Sequence, residues 1–289
     1  GCAQLANQQP GELPIPEPGR GFTVARQGKS VSPANCLIKV SLRQLKLVTA
    51  GVSHPPAVTL MVPRFILKPE RSGEMDRKMR VPTRSEALRM LSRAEERHPG
   101  PWVIHSRYVA QAAELIAERI PIIDSSTAYV MGLLHDIGRQ EGVTDLRHTL
   151  DGYRFLQENR YDDAARICLT HSFPVRNVHA GSGQWDCSPE ELDFVEKYLA
   201  GIEYSIYDHL LQLCDALADP NGFCLVEKRL LDVAIRRGVN DYSIEKWKSF
   251  LRIKQEIELM MGCSVYSLLP GVIENTFGVA FDDGEVESR

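Results

Sequence analysis

No stretch of the 289-residue chain approaches the ~18 consecutive apolar residues that a membrane-spanning helix needs, which excludes a transmembrane segment from the expected architecture. The first residues lack the charged-then-apolar pattern of a secretory leader. Cysteine is sparse, seven in all and without a repeating spacing. That excludes a disulfide-built scaffold and predicts reduced thiols in a cytoplasmic protein. A phosphate-cradling P-loop and a Ser-His-Asp arrangement are both missing, so neither Walker-type nucleotide handling nor serine-hydrolase chemistry is expected. Aspartate is missing from residues 1–74, which carry nine Lys and Arg against four Glu and hold nine of the 17 prolines. The remainder keeps 25 of the 34 basic and 34 of the 38 acidic side chains. Two differently built pieces are therefore expected, residues 1–74 and residues 75–289.

The first piece opens with Pro10–Gly21 (PGELPIPEPGRG), a run that cannot be helical and has little to bury. Three short β-leaning runs follow, at Leu37–Val40, Leu45–Val48 and Val58–Val62. Its basic residues are scattered, and its aromatics are only Phe22 and Phe65. This predicts a disordered extension or a small β element rather than a nucleic-acid-binding arm. From Met75 onward the signals are helical. Thr83-Arg-Ser-Glu86 reads as a capping box. Helices are expected over about 102–120, 126–137 (stopped by Gly138 as a C′ glycine), 146–158, 162–172, 203–218, 223–237 and 243–261. Another starts at Ser188-Pro-Glu-Glu191. No strand alternation of any length interrupts them, so the fold class is all-α.

What this chain does have is polar side chains on helix faces that should be dry. His105 shares a face with Val109, Ala112, Ile116 and Ile120. His135 aligns with Ala128 and Met131, His171 with Ala164 and Ile167, and His148 with Gly152 and Phe155. Asp215 lies within LLQLCDALA. One such histidine reads as a core residue bonded to a carbonyl. Four from different helices, joined by two inward carboxylates, read differently. A buried ionised carboxylate needs a positive partner, and neutral imidazoles offer none. A divalent cation satisfies all of them together, and a His/carboxylate donor set suits Fe, Mn, Zn, Ni or Co better than Ca. His135 and Asp136 point about 100° apart in a regular helix, so they can share an ion only where that helix is ending.

The order His105 … His135-Asp136 … Asp215, with the local text IHSRYVAQAAELIA, YVMGLLHDIGR and LLQLCDALAD, resembles the HD-domain superfamily of metal-dependent phosphohydrolases over Pro101 to Asp219. His148 (RHTLDGY) and His171 (CLTHSF) fall where the two-metal branch has its extra histidines. That branch includes HD-type diadenosine tetraphosphate hydrolases and the HD-GYP phosphodiesterases, whose Gly-Tyr-Pro element is missing here. The resemblance implies an all-α HD-domain helical bundle with two divalent transition-metal ions, iron or manganese ahead of nickel, cobalt or zinc. His105, His135, Asp136 and Asp215 would hold one ion. Asp136 would bridge to a second, completed by His148 and His171, with His179 as a candidate extra ligand. It further implies metal-activated hydroxide cleaving a phosphoester or phosphoanhydride of a small nucleotide-like substrate, with Arg139 as a candidate phosphate contact beside catalytic Asp136. Arg107 would lie on the flank. A one-metal nucleotidase, with His148 and His171 as packing residues, and a non-catalytic nucleotide sensor are the alternatives. Neither a membrane nor nucleic acid is the expected partner, and a homo-oligomer is compatible with the sequence. The glycines of loops 139–147 and 173–188 suggest a movable lid.

Overall fold

Thr83 opens the first helix as its sequence predicts: its hydroxyl accepts from the Glu86 amide at 3.3 Å, and the Glu86 carboxylate accepts from the Thr83 amide at 2.8 Å. The structure, a computed structural model, describes residues 78–278. The expectations for residues 1–74 lie outside the described residues. The helix opened by Thr83 is α1 (Arg84–Arg97). Next comes α2 (Pro101–Ala117), with Pro101 in the first turn, where a missing amide proton costs nothing. Asp124 caps α3 (Ser125–Leu134), its carboxylate accepting from the Thr127 amide at 2.7 Å. A 3-10 turn (Ile137–Glu141) leads to α4 (Arg147–Glu158) and α5 (Asp162–Thr170). Capping boxes at Ser188/Glu191 and Ser205/Asp208 open α6 (Pro189–Gly201) and α7 (Ile206–Ala216). After a hairpin of two residues per strand, β1 (Ala218–Asp219) against β2 (Gly222–Phe223), come α8 (Val226–Arg237), α9 (Ser243–Met261) and α10 (Val272–Phe277).

The described chain is all-α apart from that hairpin, as expected. The hairpin and α10 are too short for a periodic signal, and the sequence reading did not contain them. Three apolar clusters hold the helices. The largest joins Val109, Ala113 and Ile116 of α2 to Leu210 and Leu213 of α7 and to Phe250, Ile253 and Ile257 of α9. A second joins Ala87 and Leu91 of α1 to Val130 and Leu133 of α3 and to Ala164 and Cys168 of α5. The third lies between α4 and α6, around Leu150, Phe173, Val195 and Leu199. Among the described residues no helix is long and apolar enough to cross a membrane.

Two glycines set how closely these helices approach. A Cβ on Gly132 of α3 would stand 2.8 Å from Ala110 Cα of α2. Gly138 corrects an expectation. It is not a C′ glycine, because α3 ends at Leu134 and Gly138 lies inside the 3-10 turn without a positive φ. What requires glycine there is proximity: a Cβ would meet the His148 carbonyl oxygen at 2.0 Å and the Gly152 amide nitrogen at 2.4 Å. Both obstacles are backbone, so no rotamer relieves them. Gly138→Ala is expected to cost at least about 1–3 kcal/mol and to push α4, with His148, away from the 3-10 turn that follows Asp136. Thermal unfolding and metal content measured together check this; an unchanged melting point would contradict it.

Candidate metal centre

Helix ends supply most of the site. His135 is the C-cap of α3 and His171 the C-cap of α5, while His148 is the second residue of α4. Asp136 follows at φ −104°, ψ 13°, off the helical line, which lets it face the same side as its neighbour His135. His105 lies in the second turn of α2, and Asp215 is the penultimate residue of α7. The four imidazoles and Asp136 are buried. Asp215 and Arg139 keep 22% and 29% of their side-chain surface, so solvent reaches the group past these two.

Each helix-end histidine is aimed by its own backbone. His135 Nδ1 donates to the Gly132 carbonyl at 2.8 Å, His171 Nδ1 to the Ile167 carbonyl at 3.2 Å, and His148 Nδ1 to the Asp145 carbonyl. A carbonyl only accepts, so the ring proton sits on Nδ1 and Nε2 presents a lone pair. Those Nε2 atoms converge on the two carboxylates. His148 Nε2 is 3.1 Å and His171 Nε2 is 3.6 Å from Asp136 Oδ1. His135 Nε2 is 3.9 Å from both Asp136 Oδ2 and Asp215 Oδ1, and His105 Nε2 is 2.9 Å from Asp215 Oδ1. Neighbouring rings stand edge to face, His105–His135 at 5.2 Å and His135–His171 at 4.9 Å between centroids.

Electrostatics favours donors. Burial pulls His171 down to about 3, with His135 beside it adding to the effect, and burial lowers His135 as well. Both are neutral at pH 7 and ready to ligate. Burial pushes the Asp136 carboxyl up, yet its charged surroundings, the Arg139 guanidinium first, hold it well below the ordinary carboxylate range. Asp215 is likewise lowered, burial being outweighed first by the hydrogen bond to His105. His135 Nε2 and Asp136 Oδ1 are buried with no hydrogen-bond partner among the described residues, as is His105 Nδ1. Unpartnered buried polar atoms of this kind are costly unless something else satisfies them. Ion–ligand bonds of about 2.0–2.2 Å let the donors of one ion stand up to about 4 Å apart, so the spacings above fit a transition-metal ion. Two sets have all their donor atoms within 4.8 Å of one another: His105, His135 and Asp215, and His135, Asp136 and His171.

The surrounding framework ties these helices together. Asp208 of α7, fully buried, accepts from Arg166 Nε and Nη2 on α5, from Thr170 Oγ1 at 2.7 Å and from the Ser205 amide at 2.7 Å. Gln212 Nε2 donates to the Thr170 and Phe173 carbonyls at 3.1 and 3.3 Å, closing the end of α5 around His171. The loops with lid-like glycines are cross-linked. Asp186 accepts from the Asp145 and Arg147 amides at 2.7 and 2.8 Å, and Asp145 accepts from the Gln184 amide at 2.6 Å. Arg237 pairs with Asp145 at 3.0 Å.

Five of the six expected ligands fall in these two sets; His148 is in neither, although its Nε2 lies 3.1 Å from Asp136 Oδ1. Asp136 falls in the second set and not in the set with His105 and Asp215. Neither set includes His179, whose ring lies face-on to Tyr242 at 6.4 Å, because the 3-10 turn Val178–Ala180 carries it to the α8–α9 connection. Arg139, read as a phosphate contact, instead donates from Nε to Asp136 Oδ2 at 2.6 Å, and its Nη2 is 3.3 Å from His148 Nε2. This corrects the premise that the inward carboxylates have only imidazoles for partners. Arg107 faces Glu95 at 3.8 Å on the surface. The His98 backbone carbonyl accepts from Trp102 Nε1 at 3.1 Å, and His209 Nδ1 lies 3.2 Å from Gln212 Oε1. The sequence reading missed Lys246, a buried lysine on α9.

Residues 102–219 match the family model of the HD domain, a span that contains all six residues of the cluster. No curated protein and no solved structure matches the chain.

Proposed function

We propose that the HD domain at residues 102–219 makes this chain a metal-dependent phosphohydrolase acting on a phosphoester or phosphoanhydride bond of a small, nucleotide-like substrate. The observation that carries the reading is the convergence of four imidazole nitrogens on two ionised carboxylates, with His135 Nε2 and Asp136 Oδ1 left without a hydrogen-bond partner among the described residues. His135 Nε2 has one lone pair and serves one ion. With His105, His135 and Asp215 around one ion, Asp136 and His171, with His148 beside them, would hold another; this two-metal division differs from the expected one in giving Asp136 to the second ion alone. Iron or manganese suits such a set. When bound, ions of this kind make water a competent nucleophile near neutral pH and draw charge from phosphoryl oxygens.

The protein's own groups do the rest. The Gly132, Asp145 and Ile167 carbonyls hold three ring tautomers in place. Arg139 keeps Asp136 ionised and borders the open side, where a substrate phosphate approaches. A side-chain nucleophile is not needed. The nearby Cys168 thiol donates to the Leu134 carbonyl at 3.4 Å, and burial pushes its pKa up, so it stays protonated.

A second reading is favoured by the Arg139–Asp136 pair. A single ion on His105, His135 and Asp215 would leave the Arg139 guanidinium as the other positive charge, capping Asp136 and His148. Metal counting separates the two. Chain stripped with chelator and reloaded with Mn, or anaerobically with Fe, is expected to hold close to two ions and to gain hydrolytic activity on a panel of nucleotides and cyclic dinucleotides. At a hundredfold excess over Kd the metal should add about 2.7 kcal/mol of stability. A count near one selects the single-ion reading; no uptake and no turnover refutes both.

A further inference from the structure

The helix-end imidazoles all take their aim from backbone carbonyls, but those carbonyls are not held alike. Gly132 and Ile167 belong to α3 and α5, whose regular backbone fixes the direction of their carbonyls. The Asp145 carbonyl, which accepts from His148 Nδ1, precedes α4, a helix that starts at Arg147 and has no side-chain cap. A carbonyl in a connecting segment has no helical ladder to hold it and needs other ties. Here those ties gather on Asp145. Its Oδ2 accepts from the Gln184 amide at 2.6 Å, and its Oδ1 pairs with Arg237 Nη1 of α8 at 3.0 Å. Its amide donates to Asp186 at 2.7 Å, and the next amide, that of Leu146, donates to the Gln184 carbonyl at 3.2 Å. A Cβ on Gly183 would stand 2.5 Å from Asp145 Oδ1, so the backbone there lies directly on this carboxylate.

We propose that Asp145 is the positioning residue for the second ion and Arg237 its outer support, so that occupancy of the centre depends on a helix outside the HD span. This rests on the two-metal form of the phosphohydrolase reading. His148 is the ligand that stands in neither compact donor set, and its Nε2 lies between two groups. Asp136 Oδ1 is 3.1 Å from it on one side and Arg139 Nη2 3.3 Å on the other. A ring held beside Asp136 completes the second ion; a ring given up to Arg139 leaves the single-ion arrangement. The Asp145 carbonyl decides between them. α8 lies beyond residues 102–219 and buries only Val226, at its start, so Arg237 ties its far end to the loop before α4. With 41% of the Arg237 side chain exposed, this ion pair contributes little to stability, which separates positioning from folding.

The test titrates the full chain with Mn, for which wild type should show two binding steps. Asp145→Ala keeps the carbonyl but frees it, and should weaken the second step by about 10–100-fold, the usual effect of losing a group that supports a metal-bound histidine. The first step should be unchanged. Arg237→Met should weaken the second step by about two- to fivefold, the worth of an exposed ion pair, with the melting temperature unmoved. Arg237→Lys should restore it. Added to Asp145→Ala, Arg237→Met should have no further effect, because it acts through that carboxylate. In the metal-free chain, NMR should show the His148 Nδ1 proton exchanging with water faster in Asp145→Ala than in wild type. An unchanged second step in Asp145→Ala, or an equal loss of both steps, overturns the proposal. Wild type without a second step sinks the two-metal reading and the proposal with it, whereas two steps that survive Asp145→Ala sink the proposal alone.

Discussion

Asp215→Ala is expected to weaken metal binding by more than about 100-fold while leaving the fold in place. Loss of a partner that merely supports a ligand costs about 10–100-fold in metal affinity, and Asp215 is itself one of the donors, so its removal should exceed that range. Its side chain is the most exposed of the six and anchors no buried cation, so truncation leaves His105 Nε2 without its 2.9 Å partner and little else disturbed. Asp215→Asn keeps the shape and removes the charge. If the charge matters, both variants lose metal to a similar degree, and hydrolysis falls with it. Equilibrium titration with Mn, read beside circular dichroism, decides the point: undiminished affinity in either variant would remove Asp215 from the ligand set.

The second large effect is on stability, away from the ligands. Asp208→Ala is expected to destabilise the protein by about 3–5 kcal/mol, the usual consequence of leaving the other member of a buried pair unpaired. Asp208 is fully buried and meets Arg166, Thr170 and Ser205 at once. Arg166 would keep only its bond to the Glu203 carbonyl. At roughly 2–4 °C per kcal/mol for a domain of this size, the melting temperature should fall by about 6–20 °C. Thr170 immediately precedes His171, so metal content should fall with it, whereas Asp215→Ala separates metal loss from unfolding. Urea unfolding with an unmoved midpoint would show that the network contributes nothing.

Both variants probe a site that was readable in the sequence to an unequal extent. His105, His135, His148 and His171 were visible because each interrupts an apolar helical stripe, and the structure buries all four together. The end of α3 was visible too, but for the wrong reason. Gly138 marks a backbone contact with His148 and Gly152, and contacts between residues so far apart along the chain leave no periodic trace. The Arg139–Asp136 pair was hidden because a 3-10 turn, unlike a helix, gives no face to count. Lys246 carried the same signal as His105, a charge on a dry stripe, and was passed over because α9 lies beyond the HD-like text. The loops gave only glycines, which predict freedom; the Asp145 and Asp186 cross-links come from aspartates that look like ordinary surface residues.

The three imidazoles at helix ends take their aim from carbonyls only three or four residues upstream. Orientation is therefore written locally, and long-range packing has only to bring the helix tips to one place. Such a division of labour leaves the outward surfaces of α4 and α5 free to be rewritten for solubility or for new partners, since no change there needs to retune an angle at the centre.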